Sequence, residues 1–207
     1  PDTQSVYFAY FEPYSYERHL DLIGTAVESE HVDVQHLGQT LDGRDMTLLR
    51  ITDALSSTPA EQKKKIWLIA RQHPGETMAE WFVEGFLERL LDGDDPVSRV
   101  LLGKCIFHVV PNMNPDGAVR GNLRTNAAGA NLNREWMAPT QERSPEVFHV
   151  REGLIRKISE GSEDNSSPSI WNGRVVWQGY DDTDLEVYYF DGKRTIKLTS
   201  NAWDDLA

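Results

Sequence analysis

The 207-residue chain has a single cysteine, Cys105, and none of its six histidines lies beyond His149. One cysteine excludes a disulfide within the chain. The apolar neighbours of Cys105 predict a buried thiol, which is consistent with a reducing compartment. The sequence also lacks a run of about 20 apolar residues and an N-terminal signal pattern. We therefore expect a soluble, cytoplasmic protein with no membrane partner.

Basic residues are few, because 21 Lys and Arg stand against 33 Asp and Glu, which gives a formal net charge of -12. Apart from residues 63–65, the basic side chains are scattered along the chain. Binding to nucleic-acid phosphates requires a concentrated positive surface. We therefore expect no nucleic-acid partner.

The apolar pattern of the first 158 residues predicts alternating strands and helices. Continuous apolar runs predict strands that are buried on both faces, and apolar residues at helical spacing predict amphipathic helices, including one that buries Phe82, Phe86 and Leu90. This alternation predicts an α/β fold with helices packed on a mostly parallel or mixed sheet. The predicted elements are strands at 32–37, 46–52, 65–71 and 104–111, and helices at 15–28 and 77–91.

The tetrapeptide His-Pro-Gly-Glu at residues 73–76 lies between a predicted strand and a predicted helix. His73 and Glu76 are three residues apart at a helix start, so their side chains lie on one face and can converge on one ion. An imidazole nitrogen and a carboxylate oxygen are common ligands of zinc. In α/β sheets, ligands gather at the carboxyl ends of strands, so the sequence predicts a zinc site here.

A second block, residues 112–136, is a long irregular stretch rich in Asn, Gly and Arg. Loops of this length inside a compact domain are often functional. Arginines together with amides are suited to hold a carboxylate. The alternative is that the Asn and Gly residues only satisfy turns, since both tolerate unusual backbone angles.

Four motifs in this order, His-Pro-Gly-Glu, Asn-Pro-Asp-Gly, Gly-Asn-Leu-Arg and Asn-Leu-Asn-Arg, resemble those of the zinc carboxypeptidases of the M14 family, and most closely its cytosolic carboxypeptidase-like branch. The resemblance covers about residues 6–157 and implies removal of C-terminal residues from peptides or proteins. It implies a zinc ion held by His73 and Glu76. It further implies that Arg124 polarises the scissile carbonyl, and that Asn133 and Arg134 hold the terminal carboxylate of the substrate.

The same resemblance requires a third zinc ligand, a downstream His, and a Glu that acts as general base; neither can be assigned in this sequence. The resemblance places His149 on a helix, and His108 falls in a predicted buried strand, so neither is expected to bind zinc. Asn131 stands where the family usually has Asp. A non-catalytic peptide-binding or structural module therefore stands as the alternative to an active enzyme.

The last part of the chain has a different pattern. Residues 159–168 have the composition of a linker, and residues 169–207 show period-two alternation that predicts three short antiparallel strands, at 174–178, 185–190 and 194–198. This tail resembles a single blade of a β-propeller, whose exposed strand edges predict self-association.

The predicted architecture is thus the front half of a carboxypeptidase-like mixed sheet with packed helices, followed by a short antiparallel β segment. Three origins of this junction remain open. They are a fused or truncated carboxypeptidase, which we favour, a natural divergent protein, and a protein whose catalytic half comes from another chain.

Overall fold

The computed structural model describes residues 8–159, 165–171, 174–180, 185–191 and 194–200. The helices are α1 (Tyr16–Val27), α2 (Met78–Leu90), α3 (Pro96–Lys104), α4 (Pro115–Arg120) and α5 (Pro145–Ser159). The strands are β1 (Val32–Gln39), β2 (Asp45–Ile51), β3 (Lys64–Ile69), β4 (Cys105–Val110), β5 (Asn165–Trp171), β6 (Arg174–Tyr180), β7 (Leu185–Phe190) and β8 (Thr195–Lys197). In this part of the chain, no helix is both long and apolar enough to cross a membrane.

The first sheet has four strands in the order β1-β2-β4-β3. β1 and β2 form an antiparallel hairpin, β2 pairs antiparallel with β4, and β3 pairs parallel with β4. The hairpin turns at Gly43, whose φ of 76° is open to glycine without strain. This mixed sheet confirms the predicted α/β class.

Helices cover the sheet on both sides. The helices α1, α2 and α3 contribute to one core cluster, and α5 with the irregular segment before it contributes to a second. β4 is buried along its whole length, which explains why its sequence is apolar apart from His108. The first cluster includes Leu22, Leu49, Ile51, Val83, Leu87, Leu102 and Phe107, and the second includes Met46, Leu48, Val110, Met113, Leu132, Val147 and Val150.

One prediction about burial was wrong, and a second was right only in part. β3 is an edge strand among the described strands, and Ile66 and Ile69 are each 37% exposed, so this strand is not buried on both faces. On α2, Leu90 is buried and Phe86 is partly buried against the first core cluster, as predicted, but Phe82 is 59% exposed. The buried face of the helix is turned toward Val83 and Leu87, and it includes Glu80, which is 0% exposed and pairs with Arg71.

The second sheet is antiparallel, in the order β5-β6-β7-β8. Its described core contains Val175 and Trp177, and the Trp177 ring stacks on Tyr188 with the centroids 5.6 Å apart. The sheet has one strand more than predicted, because β5 begins at Asn165, inside the predicted linker. Period-two alternation does not mark a strand whose first half is serine-rich. The domain boundaries and the resemblance to a propeller blade remain predictions.

Candidate metal and carboxylate site

The turn at residues 73–76 is held at the end of β3 by backbone hydrogen bonds. Beyond β3, Ala70 N donates to Val110 O at 2.9 Å, which keeps the chain beside β4. The turn itself closes through Glu76 N, which donates to His73 O at 3.1 Å. In this turn His73 Nδ1 lies 3.1 Å from Glu76 Oε1. The structure therefore brings together the two predicted metal ligands.

The other ring nitrogen of His73 faces Asn131. His73 Nε2 lies 3.2 Å from Asn131 Oδ1, and Arg124 Nη2 lies at 3.4 Å on the same side of the ring. An amide oxygen only accepts hydrogen bonds and a guanidinium only donates them, so a proton on Nε2 suits the shorter contact with Asn131 and not the longer one with Arg124. In that tautomer Nδ1 carries a lone pair that faces a carboxylate oxygen, and the two atoms together can bind a cation.

Asn131 is the site residue that sequence reasoning missed. It was noted only as a departure from an expected Asp, yet its Oδ1 takes the position that orients His73. In metal sites the second nitrogen of a ligating histidine is commonly held by such an acceptor. The available signal was its place directly before the Leu-Asn-Arg triplet.

Asn131 also begins the turn that carries the predicted carboxylate clamp. Its Oδ1 accepts from Asn133 N at 3.2 Å, and its backbone O accepts from Arg134 N at 2.8 Å. Leu132 anchors this turn in the second core cluster. Asn133 and Arg134 are exposed, so their side chains reach solvent beside the His73 contact. Their role as a clamp remains a prediction.

Two glycines let the motifs approach closely. Gly75 N donates to Leu123 O at 3.0 Å, and a Cβ on Gly75 would lie 2.9 Å from that oxygen. A Cβ on Gly117 would lie 2.6 Å from the ring of Pro74. Because the motifs touch through backbone atoms, the residue after Leu123, the exposed Arg124, is carried to His73.

The acidic residue of the Asn-Pro-Asp-Gly motif supports the fold and not the site. Asp116 is fully buried and accepts hydrogen bonds from Thr40 Oγ1 at 2.7 Å, Asp42 N at 2.9 Å and Arg44 Nη1 at 2.8 Å. It thereby ties the start of α4 to the β1–β2 hairpin. Asn114 caps α4 by accepting from Gly117 N at 3.0 Å.

Three of the other histidines have structural surroundings. His19 pairs with Glu80, the ring of His108 stacks on Trp67 at 4.8 Å, and the ring of His149 packs against Gly38. Burial lowers the pKa of His149. Among the described residues, no third His, Cys, Asp or Glu completes a metal-binding group with His73 and Glu76.

The donor set fits zinc at two positions. An imidazole lone pair and a carboxylate oxygen are zinc donors, and a catalytic zinc site has three protein ligands plus an open position. His73 is largely buried, with 10% of its side chain exposed, whereas Glu76 is 47% exposed. The pair is therefore accessible from solvent on the Glu76 side, and a substrate needs such access.

Comparison with known proteins gives one consistent family for most of the chain. Residues 17–176 match the sequence model of the zinc carboxypeptidase family. An uncharacterized protein of Zymomonas mobilis is 58% identical over 151 residues, which are 73% of this chain and 38% of that protein. Cytosolic carboxypeptidase 4 of Homo sapiens is 36% identical over 171 residues, 77% of this chain and 15% of that protein.

The crystal structure of a metallo-carboxypeptidase from Burkholderia cenocepacia has the same fold over 72% of this chain, with 58% identity and a TM-score of 0.66. The match covers 40% of that chain. The predicted carboxypeptidase-like fold is therefore confirmed. The present chain spans less than half the length of each of these relatives.

Proposed function

The chain belongs to the zinc carboxypeptidase family, and from this membership we propose that it acts as a zinc-dependent metallocarboxypeptidase on the C-termini of peptides or proteins. The observation that carries the proposal is the convergence of His73 Nδ1 on Glu76 Oε1 at 3.1 Å. These residues emerge at the end of a parallel strand, where α/β sheets bind ligands.

His73 and Glu76 would hold the metal, and the rest of the site would orient them. Zinc bound at such a site polarises a carbonyl and lowers the pKa of a bound water. With its proton on Nε2 and donated to Asn131 Oδ1, His73 would present Nδ1 as the donor to the metal.

The arginines account for the substrate class. Arg124 places a guanidinium beside the His73 ring, where positive charge stabilises an oxyanion that develops on the scissile carbonyl. Arg134 and Asn133 are exposed on the neighbouring turn, and a guanidinium binds a carboxylate through two parallel hydrogen bonds. An internal peptide lacks that carboxylate and would leave the clamp unpaired, so the proposal is specific to free chain ends.

The proposal is tested by measuring zinc stoichiometry and amino-acid release from peptides that end in glutamate. We expect about one zinc per chain and release that a chelator abolishes and added zinc restores. The variants His73→Ala and Glu76→Gln should lose both. As a control, Arg89→Lys should retain both, because the Arg89 side chain is 71% exposed and pairs with Asp95. The same peptide with an amidated C-terminus should not be cleaved.

The outcomes separate the two functional hypotheses. If the pure protein binds no zinc and releases no amino acid, the enzyme proposal is wrong for this chain. If it binds a peptide carboxylate through Arg134 but releases nothing, the non-catalytic peptide-binding module is supported instead. If Arg134→Ala loses that binding, Arg134 is part of the clamp. The same peptide with an amidated C-terminus serves as the reference that lacks the carboxylate.

We also propose a cytoplasmic location, which is supported by the single buried Cys105 and by the name of the human cytosolic relative. The absence of nucleic-acid and membrane partners remains a prediction from the acidic composition. Self-association through β edges also remains a prediction. The side of β3 turned away from β4 has no strand partner among the described residues, so it is one edge at which pairing can be sought.

A further inference from the structure

Arg71, two residues before His73, has an unusual backbone. Its φ of 49° makes it the one non-glycine residue with positive φ in the described part of the chain. Side chains other than glycine rarely adopt this conformation, which persists only where surrounding contacts enforce it. Arg71 is 5% exposed, so those contacts lie in the interior.

The guanidinium of Arg71 reaches into the metal-binding turn. Its Nε donates to Pro74 O at 2.9 Å, and this carbonyl lies between His73 and Glu76 in the sequence. Its Nη1 donates to Tyr14 O at 2.9 Å and pairs with Glu80 on α2. One planar group therefore joins the turn, the N-terminal segment and α2.

Glu80 is itself fixed from two further directions. Its carboxylate is fully buried, and Oε1 lies 2.8 Å from His19 Nδ1 on α1. Oε2 accepts from Asn112 Nδ2 at 3.2 Å, just beyond β4. Because a buried charge needs several partners to be stable, this arrangement leaves Arg71 little freedom to move.

We propose that Arg71 is a positioning residue, which uses the network of His19, Glu80 and Asn112 to fix the turn that carries His73 and Glu76. The contact with Pro74 O is the step that links the network to the turn. The positive φ of Arg71 accompanies a side chain that folds back to reach Pro74 O in the turn. The expected effect of Arg71 on zinc affinity rests on the proposed function. Its expected effect on the stability of the turn does not.

Lysine is the informative replacement. Arginine presents donors in several directions from a rigid plane, whereas lysine has one compact ammonium. Arg71→Lys retains a charge for Glu80 and loses the Nε donation to Pro74 O. The test is amide hydrogen exchange at Gly75 and Glu76, whose N–H groups bond to Leu123 O and His73 O.

We expect exchange at these two amides to accelerate about 10-fold or more in Arg71→Lys, while amides in β4 keep their rates. Arg89→Lys should change neither group. If the turn amides exchange as in the wild type, the proposal is wrong. Should Arg71→Lys fail to fold, the double variant Arg71→Met with Glu80→Gln removes both buried charges and is measured in the same way.

Zinc affinity provides the second readout, by competition with a chromophoric chelator. Loss of a supporting contact around a metal site weakens binding about 10–100-fold, and we expect this range for Arg71→Lys. If the wild type binds no zinc, the proposed function fails, and the exchange rates still decide the role of Arg71. Faster exchange with unchanged zinc affinity overturns the inference that the network positions the ligands.

Discussion

The α/β region, residues 8–159, and the small β5–β8 sheet stabilise their buried carboxylates in different ways. In the α/β region Glu80 bonds to His19, 61 positions away, and Asp116 bonds to Thr40, 76 positions away. In the small sheet the buried Glu186 bonds to Thr199, 13 positions away, and to Lys197 on the adjacent strand. The first region is therefore tied together by long-range polar contacts, and the second is a local meander.

This difference has a consequence for function. The site residues lie on segments that meet only when distant parts of the chain are packed, since His73, Arg124 and Asn131 are up to 58 positions apart. The small sheet can lose its packing without breaking any of these described contacts. We therefore expect the two regions to respond differently to substitution.

The largest effect should come from Trp177→Ala. Trp177 is 1% exposed and stacks on Tyr188, and truncation of a buried tryptophan destabilises a fold by about 3–5 kcal/mol. We expect amides in β6 and β7 to exchange much faster, while amides in β2 and β4 and the zinc affinity stay unchanged. As a control, Leu198→Ala should have little effect, because Leu198 is 56% exposed. Equal acceleration in both sheets would show that they unfold as one unit.

A smaller effect, confined to the other region, is expected at Asn131. Asn131→Ala removes the acceptor for His73 Nε2, and loss of such a contact weakens metal binding about 10–100-fold. Asn131→Asp supplies a charged acceptor, so we expect zinc affinity at least equal to that of the wild type. Competition titrations measure the zinc affinity of both variants. Amide hydrogen exchange in β6 and β7 is the reference, which should not change. An Asn131→Ala variant with wild-type affinity would contradict the assigned role.

Local patterns predicted much of the α/β region. Apolar runs located β2 and β4, and the positions of His73 and Glu76 between a strand and a helix predicted that they would lie together. The buried face of α2 could not be predicted in full, because it includes the Glu80–Arg71 pair, which helical periodicity does not reveal. For the same reason the positive φ of Arg71 has no local sequence signal, since a glycine would be expected there.

In the small sheet, alternation predicted the strands rich in aromatic and β-branched residues. It missed β5, whose Asn165 and Ser166 pair with Gly179 and Gln178 through the backbone. Backbone pairing needs no apolar side chain, so a polar strand resembles a linker in the sequence. Asn131 was missed for a related reason, because its role is defined by His73, which is distant in the sequence.

The smallest effect is expected at Glu146, at the start of α5. Its ionisation should make the stability of the α/β region, and not that of the small sheet, depend on pH. Asn126 Nδ2 donates to Glu146 Oε2 at 3.0 Å, and Oε1 is buried with no hydrogen-bond partner among the described residues. Burial raises the pKa of this carboxyl above its ordinary value, and the negative charges of Asp116 and Asp42 raise it further. The protonated form is therefore favoured by folding. Its contribution to stability is full below the unfolded-state pKa and is lost as pH rises through the folded-state pKa.

Glu146→Gln cannot ionise and keeps an oxygen that accepts from Asn126. Its stability relative to the wild type should rise with pH, by on the order of 1 kcal/mol once the wild-type carboxylate is charged. Urea unfolding at pH 4 and pH 8 measures this difference, and amides in β6 should show no such change because Glu146 lies outside the small sheet. The pKa values of Asp42 and Glu84 are lowered, chiefly by hydrogen bonds from arginines, so these two groups give stability the opposite pH dependence. Their contribution is the same in both proteins and cancels when the stability of the wild type is subtracted from that of the variant. A difference that is constant with pH would mean that Glu146 ionises alike in the folded and unfolded chains, so that its burial has no energetic consequence for the α/β region.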